Sequence, residues 1–250
     1  MMKRVVMMVG LVLLSGCLGR GPERPGPQTP GPYPYQPGPY QPGPQRTPYA
    51  TDGLIDRAVD GGTRERISRT AADPGRCVAE LEAARINYVP TADRVNAETC
   101  FLQNAGVIGP DMGTIARLAP AGPTATCELA LAISIWRRQV VEPAARDLLG
   151  SDVVQIDHMG TYACRSVNSR PGARPSAHSR AAAFDFAGVR LRDGRRITVT
   201  ADWNDGGPEG AFLKRIRDEG CRVFGTVLSP EYNAEHRDHL HLEPGQAFCR

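Results

Sequence analysis

Six cysteines, Cys77, Cys100, Cys127, Cys164, Cys221 and Cys249, run from position 77 almost to the end of a 250-residue chain. With Cys17 set aside the number is even, and in an exported protein such a set forms disulfides. The chain begins as exported proteins do. Lys3 and Arg4 precede an apolar run from Val5 to Leu14, too short to span a bilayer and of the form of a signal peptide over residues 1–16. No Cys-x-x-Cys pair occurs, which argues against a cysteine-ligated zinc finger. Six cysteines admit many pairings, and the sequence does not choose among them. Each bridge closing tens of residues should stabilise the fold by roughly 3 to 4 kcal/mol.

Charge excludes one class of partner. The net charge is +3 with 23% charged residues, and Lys and Arg are mixed with Asp and Glu, so no basic stretch points to nucleic acid. Leu14-Ser15-Gly16-Cys17 resembles the lipobox of bacterial lipoproteins, which implies that Cys17 becomes the lipidated first residue of a membrane-anchored mature chain. Leu18 is not the Asp that marks inner-membrane retention, so that resemblance implies the periplasmic face of the outer membrane. Residues 17–48 carry the lipidated cysteine and a tether. Half of the 22 prolines lie between 21 and 48, with Tyr35-Gln36-Pro37-Gly38-Pro39 repeated as Tyr40-Gln41-Pro42-Gly43-Pro44. This composition cannot pack a core and forms a polyproline-type spacer reaching at most about 90 Å.

Residues 49–250 read as one globular domain, with no second linker. Apolar residues recur at helical spacing over Cys77–Arg85 and Cys127–Leu149, where Pro143 should kink or interrupt the second helix. Glu209–Glu219 reads as a helix stopped by Gly220. Val153–Ile156, Ala183–Val189, Arg196–Thr200, Arg222–Leu228 and His239–Leu242 read as strands. Helices first and strands later predict an α+β fold: a small, largely antiparallel sheet with N-terminal helices, stapled by disulfides.

Three of the five histidines fall within Glu235-His236-Arg237-Asp238-His239-Leu240-His241-Leu242-Glu243. Upstream, Ser176-Ala177-His178 is followed after seven residues by Asp185 in Ala183-Phe184-Asp185-Phe186. Two imidazoles and a carboxylate suit Zn²⁺ and leave a fourth position open, as catalysis requires. On a strand, Asp185 points away from Phe184 and Phe186, and a carboxylate so close to a core calls for a neutralising partner. His158 and His236 read as structural histidines and Trp203 as a core residue.

These segments, together with Gly160-Thr161-Tyr162-Ala163-Cys164-Arg165, Asp202-Trp203 and Phe212-Leu213 running to Cys221, resemble the bacterial extensin-like C-terminal domain family from about Cys77 to Cys249. That family looks like the D-alanyl-D-alanine and lysostaphin-type zinc metallopeptidases. The resemblance implies one zinc ion held by His178, Asp185 and His241, and peptidoglycan stem or cross-link peptides as substrate. It implies Arg165 as the oxyanion-stabilising cation and Ser176 as a residue near the substrate, the alternative being that Ser176 only orients His178. Two general bases are on offer: Asp238, matching an Asp/Glu-x-x-His pattern, and His239, matching a His-x-His pattern. Fully extended backbone puts His239 on the face of His241, whereas a turn at Asp238 favours Asp238, which is preferred here, with His239 as its proton-relay partner. Ala181 stands where the metallopeptidases often have Gly, and a methyl group there is expected to narrow the cleft. The expected function is therefore a zinc-dependent peptidase of the cell envelope, the alternative being a non-catalytic lipoprotein that tethers peptidoglycan. A third arrangement, with His236 or His239 closing the shell as a fourth ligand, would make the metal structural.

Overall fold

The computed structural model describes residues 53–250, which belong to one compact unit. The signal segment, Cys17 and the tether lie outside the described residues. The helices are α1 (Thr63–Ala71), α2 (Pro74–Ala83), α3 (Cys127–Trp136), α4 (Glu142–Leu149), α5 (Val199–Asp202) and α6 (Pro208–Gly220). The strands are β1 (Ile86–Pro90), β2 (Arg94–Ala97), β3 (Cys100–Leu102), β4 (Ala105–Asp111), β5 (Arg117–Ala119), β6 (Thr124–Thr126), β7 (Val153–Gly160), β8 (Phe184–Leu191), β9 (Arg196–Thr198), β10 (Thr226–Leu228), β11 (Leu240–Glu243) and β12 (Phe248–Cys249). The fold is α+β and mostly antiparallel.

Local chemistry sets the helix ends. Asp73 caps α2 by accepting from the Arg76 amide at 3.1 Å, ahead of Pro74, and Thr126 caps α3 by accepting from the Leu129 amide at 3.3 Å. Every residue of α3 from Leu129 to Trp136 is buried. A helix without a polar face belongs inside, and α3 packs against α1, α2, β4 and β6. Pro143 does interrupt the long helical segment. A π-turn over Arg137–Val141 separates α3 from α4. The wider turn accommodates a residue that lacks an amide hydrogen and crowds the carbonyl of the preceding turn. Gly150, at φ 64°, then supplies the left-handed cap that ends α4.

The main sheet runs β12-β10-β11-β8-β7-β5, with β9 also paired to β8. At its centre, Leu240, His241 and Leu242 lie opposite Phe186, Asp185 and Phe184. Phe184, Phe186, Leu240 and Leu242 fill the core face. Trp136 of α3 meets Phe186 edge-on at 5.2 Å and Phe224 at 6.0 Å, and donates its indole hydrogen to the Ile216 carbonyl at 2.9 Å. This one side chain knits α3 to the sheet and to α6. The opposite face of β8 and β11 is thereby left to Asp185 and His241.

Three expectations change in detail. The expected Arg222–Leu228 strand is a turn up to Gly225 and pairs only from Thr226, because the chain must first leave α6. After Thr198 the chain enters α5 instead of continuing as strand. Strands are also not confined to the C-terminal part: β1, β4 and β6 form a second sheet and β2 and β3 a hairpin. Their alternation is short, as in Ile86–Val89 of β1 and the three residues of β3 and β6. β2 is exposed throughout, and Pro90, Gly106, Gly109 and Pro110 blur the signal in β1 and β4.

The six cysteines form three disulfides. Cys77–Cys127 joins α2 to α3, Cys100–Cys164 joins β3 to the segment after β7, and Cys221–Cys249 joins the end of α6 to β12. With sequence separations of 50, 64 and 28, each bridge contributes roughly 3.5 to 4.5 kcal/mol through loss of unfolded-state freedom.

Candidate metal centre

Strand alternation sends Phe184 and Phe186 inward and Asp185 to the other face, where the sheet register sets it opposite His241. His178 arrives from a short 3-10 turn over Ala177–Arg180. Ser176 begins that turn and its hydroxyl accepts from the His178 amide at 3.3 Å, so it orients the histidine as expected of it while also lining the cleft. His178 Nε2 lies 3.0 Å from Asp185 Oδ2, His241 Nδ1 lies 2.9 Å from Asp185 Oδ1, and the two imidazole nitrogens are 3.3 Å apart. Among the described residues this is the cluster whose geometry could hold a metal ion, and neither His236 nor His239 is part of it. The side chains of His178, Asp185 and His241 are 3%, 10% and 12% exposed, so little water is available to solvate a charge there.

The outer partners fix which nitrogens face inward. The Thr161 carbonyl accepts from His178 Nδ1 at 3.1 Å, and the Glu243 carboxylate accepts from His241 Nε2 at 3.2 Å. With those hydrogens held outward, Nε2 of His178 and Nδ1 of His241 present lone pairs to each other and to the Asp185 carboxylate. Three converging acceptors need a cation or an extra proton between them. Without a metal, the proton rests on His241. Burial alone would lower its pKa, but hydrogen bonds to Asp185 and Glu243 raise it to about 9. Burial would likewise raise Asp185, yet hydrogen bonds from His178 and His241 hold its carboxyl far below the usual range. The same His241 holds Glu243 low against its own burial.

The donor set fits zinc. Bonds of about 2.0 to 2.1 Å at a tetrahedral angle separate two nitrogen ligands by roughly 3.3 to 3.4 Å, the spacing of the two imidazoles here. Both acidic partners, Asp185 in the cluster and Glu243 behind it, supply the negative charge that a divalent ion requires.

The chain matches the family of the extensin-like protein C-terminus over residues 75–250. It belongs to that family. Comparison with curated proteins and with solved structures gives no match.

In this extensin-like domain His178 and His241 of the cluster line a cleft of about 770 Å³. Arg165, Ser176, His178, His239 and His241 all line it. The two candidate bases are placed differently. Asp238 lies in a turn just before β11, and Asp238 is not among the residues lining the cleft. Its Oδ1 accepts from His239 Nδ1 at 2.9 Å, while His239 Nε2 approaches Asp185 Oδ1 at 3.6 Å. The turn occurs, but it seats the carboxylate behind the imidazole.

Ala181 is a correction. Its side chain is fully buried against Leu102, Ala105 and Tyr162, away from the cleft, so the methyl group does not narrow the cleft. What the position constrains is the backbone, at φ 53° and ψ 34° in the left-handed region that glycine adopts without strain. His158 is structural, its Nε2 bonded to the Pro120 carbonyl at 2.8 Å and its ring against Phe184 at 5.1 Å. His236 is buried beside His239 and His241, and burial followed by those two neighbours lowers it to about 4. Trp203 is in the core, under Lys214 and Arg217.

Sequence reasoning missed Glu243 and Thr161. Glu243 carried a usable signal, since His241-Leu242-Glu243 at period two shares one strand face. Thr161 acts through its backbone, for which residue type gives no signal.

Proposed function

We propose that this domain is a zinc-dependent peptidase acting on the stem or cross-link peptides of peptidoglycan at the cell envelope. The observation that carries the reading is the convergence of two outward-tethered imidazoles and a buried carboxylate on one point at the base of an open cleft. His178, Asp185 and His241 would hold the ion, whose contribution when bound is Lewis acidity toward an amide carbonyl and toward water.

The surrounding residues have roles that follow from their atoms. His239 Nδ1 donates to Asp238, which leaves Nε2 with a lone pair facing the cleft. We assign His239 Nε2 as the group that takes a proton from the attacking water and returns it to the leaving amine. Asp238 holds the imidazole in that tautomer and stabilises its charged form, exchanging roles with the assignment preferred from sequence. Arg165, permanently charged and lining the cleft, would stabilise the negative charge that develops on the carbonyl oxygen. His236, neutral at physiological pH, packs against His239 and limits its movement.

The signal segment, Cys17 and the tether would deliver this domain to the periplasmic face of the outer membrane and let it reach the wall. The alternative, a non-catalytic lipoprotein that holds peptidoglycan in the same cleft, draws on the general tendency of a site's architecture to outlive its activity, while Ala181, buried against Leu102, Ala105 and Tyr162, lends it no support. The deciding experiment digests purified peptidoglycan with the full chain, zinc-loaded or chelator-treated, and identifies released fragments by mass. Zinc-dependent release of split cross-links or trimmed stems is expected; zinc and wall binding without release would sink the peptidase reading.

A further inference from the structure

Charge around the cleft is one-sided. Arg165, Arg174, Arg180 and Arg237 line it against two carboxylates, Glu235 and Glu243. Both carboxylates are already engaged, Glu235 by Arg170 at 3.0 Å and Glu243 by His241 at 3.2 Å. Elsewhere in the domain arginines are usually paired: Arg66, Arg138, Arg195, Arg215 and Arg217 each lie within about 3 Å of a carboxylate. Among the described residues, the four cleft arginines have no carboxylate within salt-bridge distance. Arg237 bonds only to the Ala234 carbonyl, at 3.2 Å.

Unpaired guanidinium groups gathered around one cleft repel and favour the entry of anions. Their planar forks match carboxylates in particular, through two parallel hydrogen bonds. The lining also includes Tyr232 and Phe248, edge to face at 5.6 Å and each nearly half exposed, a surface for the apolar part of a ligand and not for a continuous polyanion. The enclosed volume is that of a few residues of peptide.

We propose that the cleft selects peptides bearing free carboxylates as well as the scissile amide, with Arg174 and Arg180 as specificity determinants distinct from Arg165. The proposal rests on the peptidase reading for its scissile bond, but its binding consequence does not require cleavage.

The test is equilibrium binding by the full chain in the presence of chelator, so that neither metal nor catalysis enters. The probes are a synthetic stem tetrapeptide with its carboxylates free and the same peptide with every carboxylate converted to carboxamide. The acid form is expected to bind at least about tenfold more tightly, the effect of one good charge-assisted pair. Arg174→Gln combined with Arg180→Gln should bring that ratio near one while leaving the amide form's affinity unchanged. Both arginines are exposed, and an unaltered circular dichroism spectrum and melting temperature would show that the fold is retained. Equal binding of the two peptides, binding of neither, an undiminished ratio in the double variant, or tighter binding of a polyphosphate of equal charge would each overturn the proposal. Preference for the acid peptide without any zinc-dependent cleavage would uphold this inference and defeat the peptidase reading instead.

Discussion

Two carboxylates are nearly sealed inside this domain, and their surroundings differ in kind. Asp111, at the end of β4, is enclosed by Arg137 and Arg138 of the π-turn; its contacts include Arg138 Nε at 3.1 Å, and Arg138 is held further by Asp56 at 2.9 Å and by the Ala84 carbonyl at 2.7 Å. Asp185 meets two imidazoles whose own hydrogens are drawn away by Thr161 and Glu243. The first set is closed, since guanidinium groups stay protonated and every inward atom is a donor to the carboxylate. The second is open, since its inward atoms are all acceptors unless a proton or metal intervenes. A buried acid surrounded by permanent cations is a structural joint; one surrounded by titratable ligands is a place for chemistry.

Exchanging the two carboxylates for neutral groups should separate these roles. Asp185→Ala is expected to eliminate stoichiometric zinc, read by metal analysis after dialysis, together with zinc-dependent wall cleavage. Retention of one zinc per chain would break the assignment. Asp111→Asn should leave zinc content intact but cost about 3 to 5 kcal/mol in urea unfolding, because two buried arginines lose their counter-charge. A loss below about 1 kcal/mol would mean that the arginines find water or other acceptors.

Smaller changes sharpen the contrast. Glu243→Gln keeps the shape and a hydrogen-bonding oxygen but removes the charge that holds His241 Nε2–H outward. Zinc affinity should fall about 10- to 100-fold, measured by competition with a chromophoric chelator. Ala181→Gly should leave zinc affinity unchanged and raise stability slightly, by up to about 1 kcal/mol. The relief of left-handed strain, roughly 1 to 2 kcal/mol, is partly offset by the greater freedom of glycine in the unfolded chain and by loss of the buried methyl group, worth about 0.8 kcal/mol. A marked change in zinc affinity would show that the turn behind His178 tunes the ligand.

Much of the site was legible because strand alternation is a local rule. Phe184-Asp185-Phe186 and Leu240-His241-Leu242 each declare one buried face and one functional residue, and pairing these two strands brings Asp185 opposite His241. The sequence allows a turn at Asp238, but which base lines the cleft depends on how that turn packs, with His239 set against His236. The buried arginines could not be read. Arg137 and Arg138 look like the solvated end of an amphipathic helix, and only the position of β4 places Asp111 against them. Helical periodicity likewise marked Pro143 as a break without revealing that the break is a π-turn that points those arginines inward.

The sequence by itself determined the α+β class, the presence of three bridges' worth of cysteine, the core faces of β8 and β11, and membership in the extensin-like family through its His178, Asp185 and His241 segments. Tertiary structure alone decided the disulfide pairing, the second sheet, the counter-ion of the buried arginines, and the partners Thr161 and Glu243 that turn the histidine lone pairs inward. The division has one physical cause. Side-chain periodicity and capping act between residues a few positions apart and are written along the chain, whereas charge compensation and hydrogen-bond satisfaction inside a core act between atoms that only folding brings within reach.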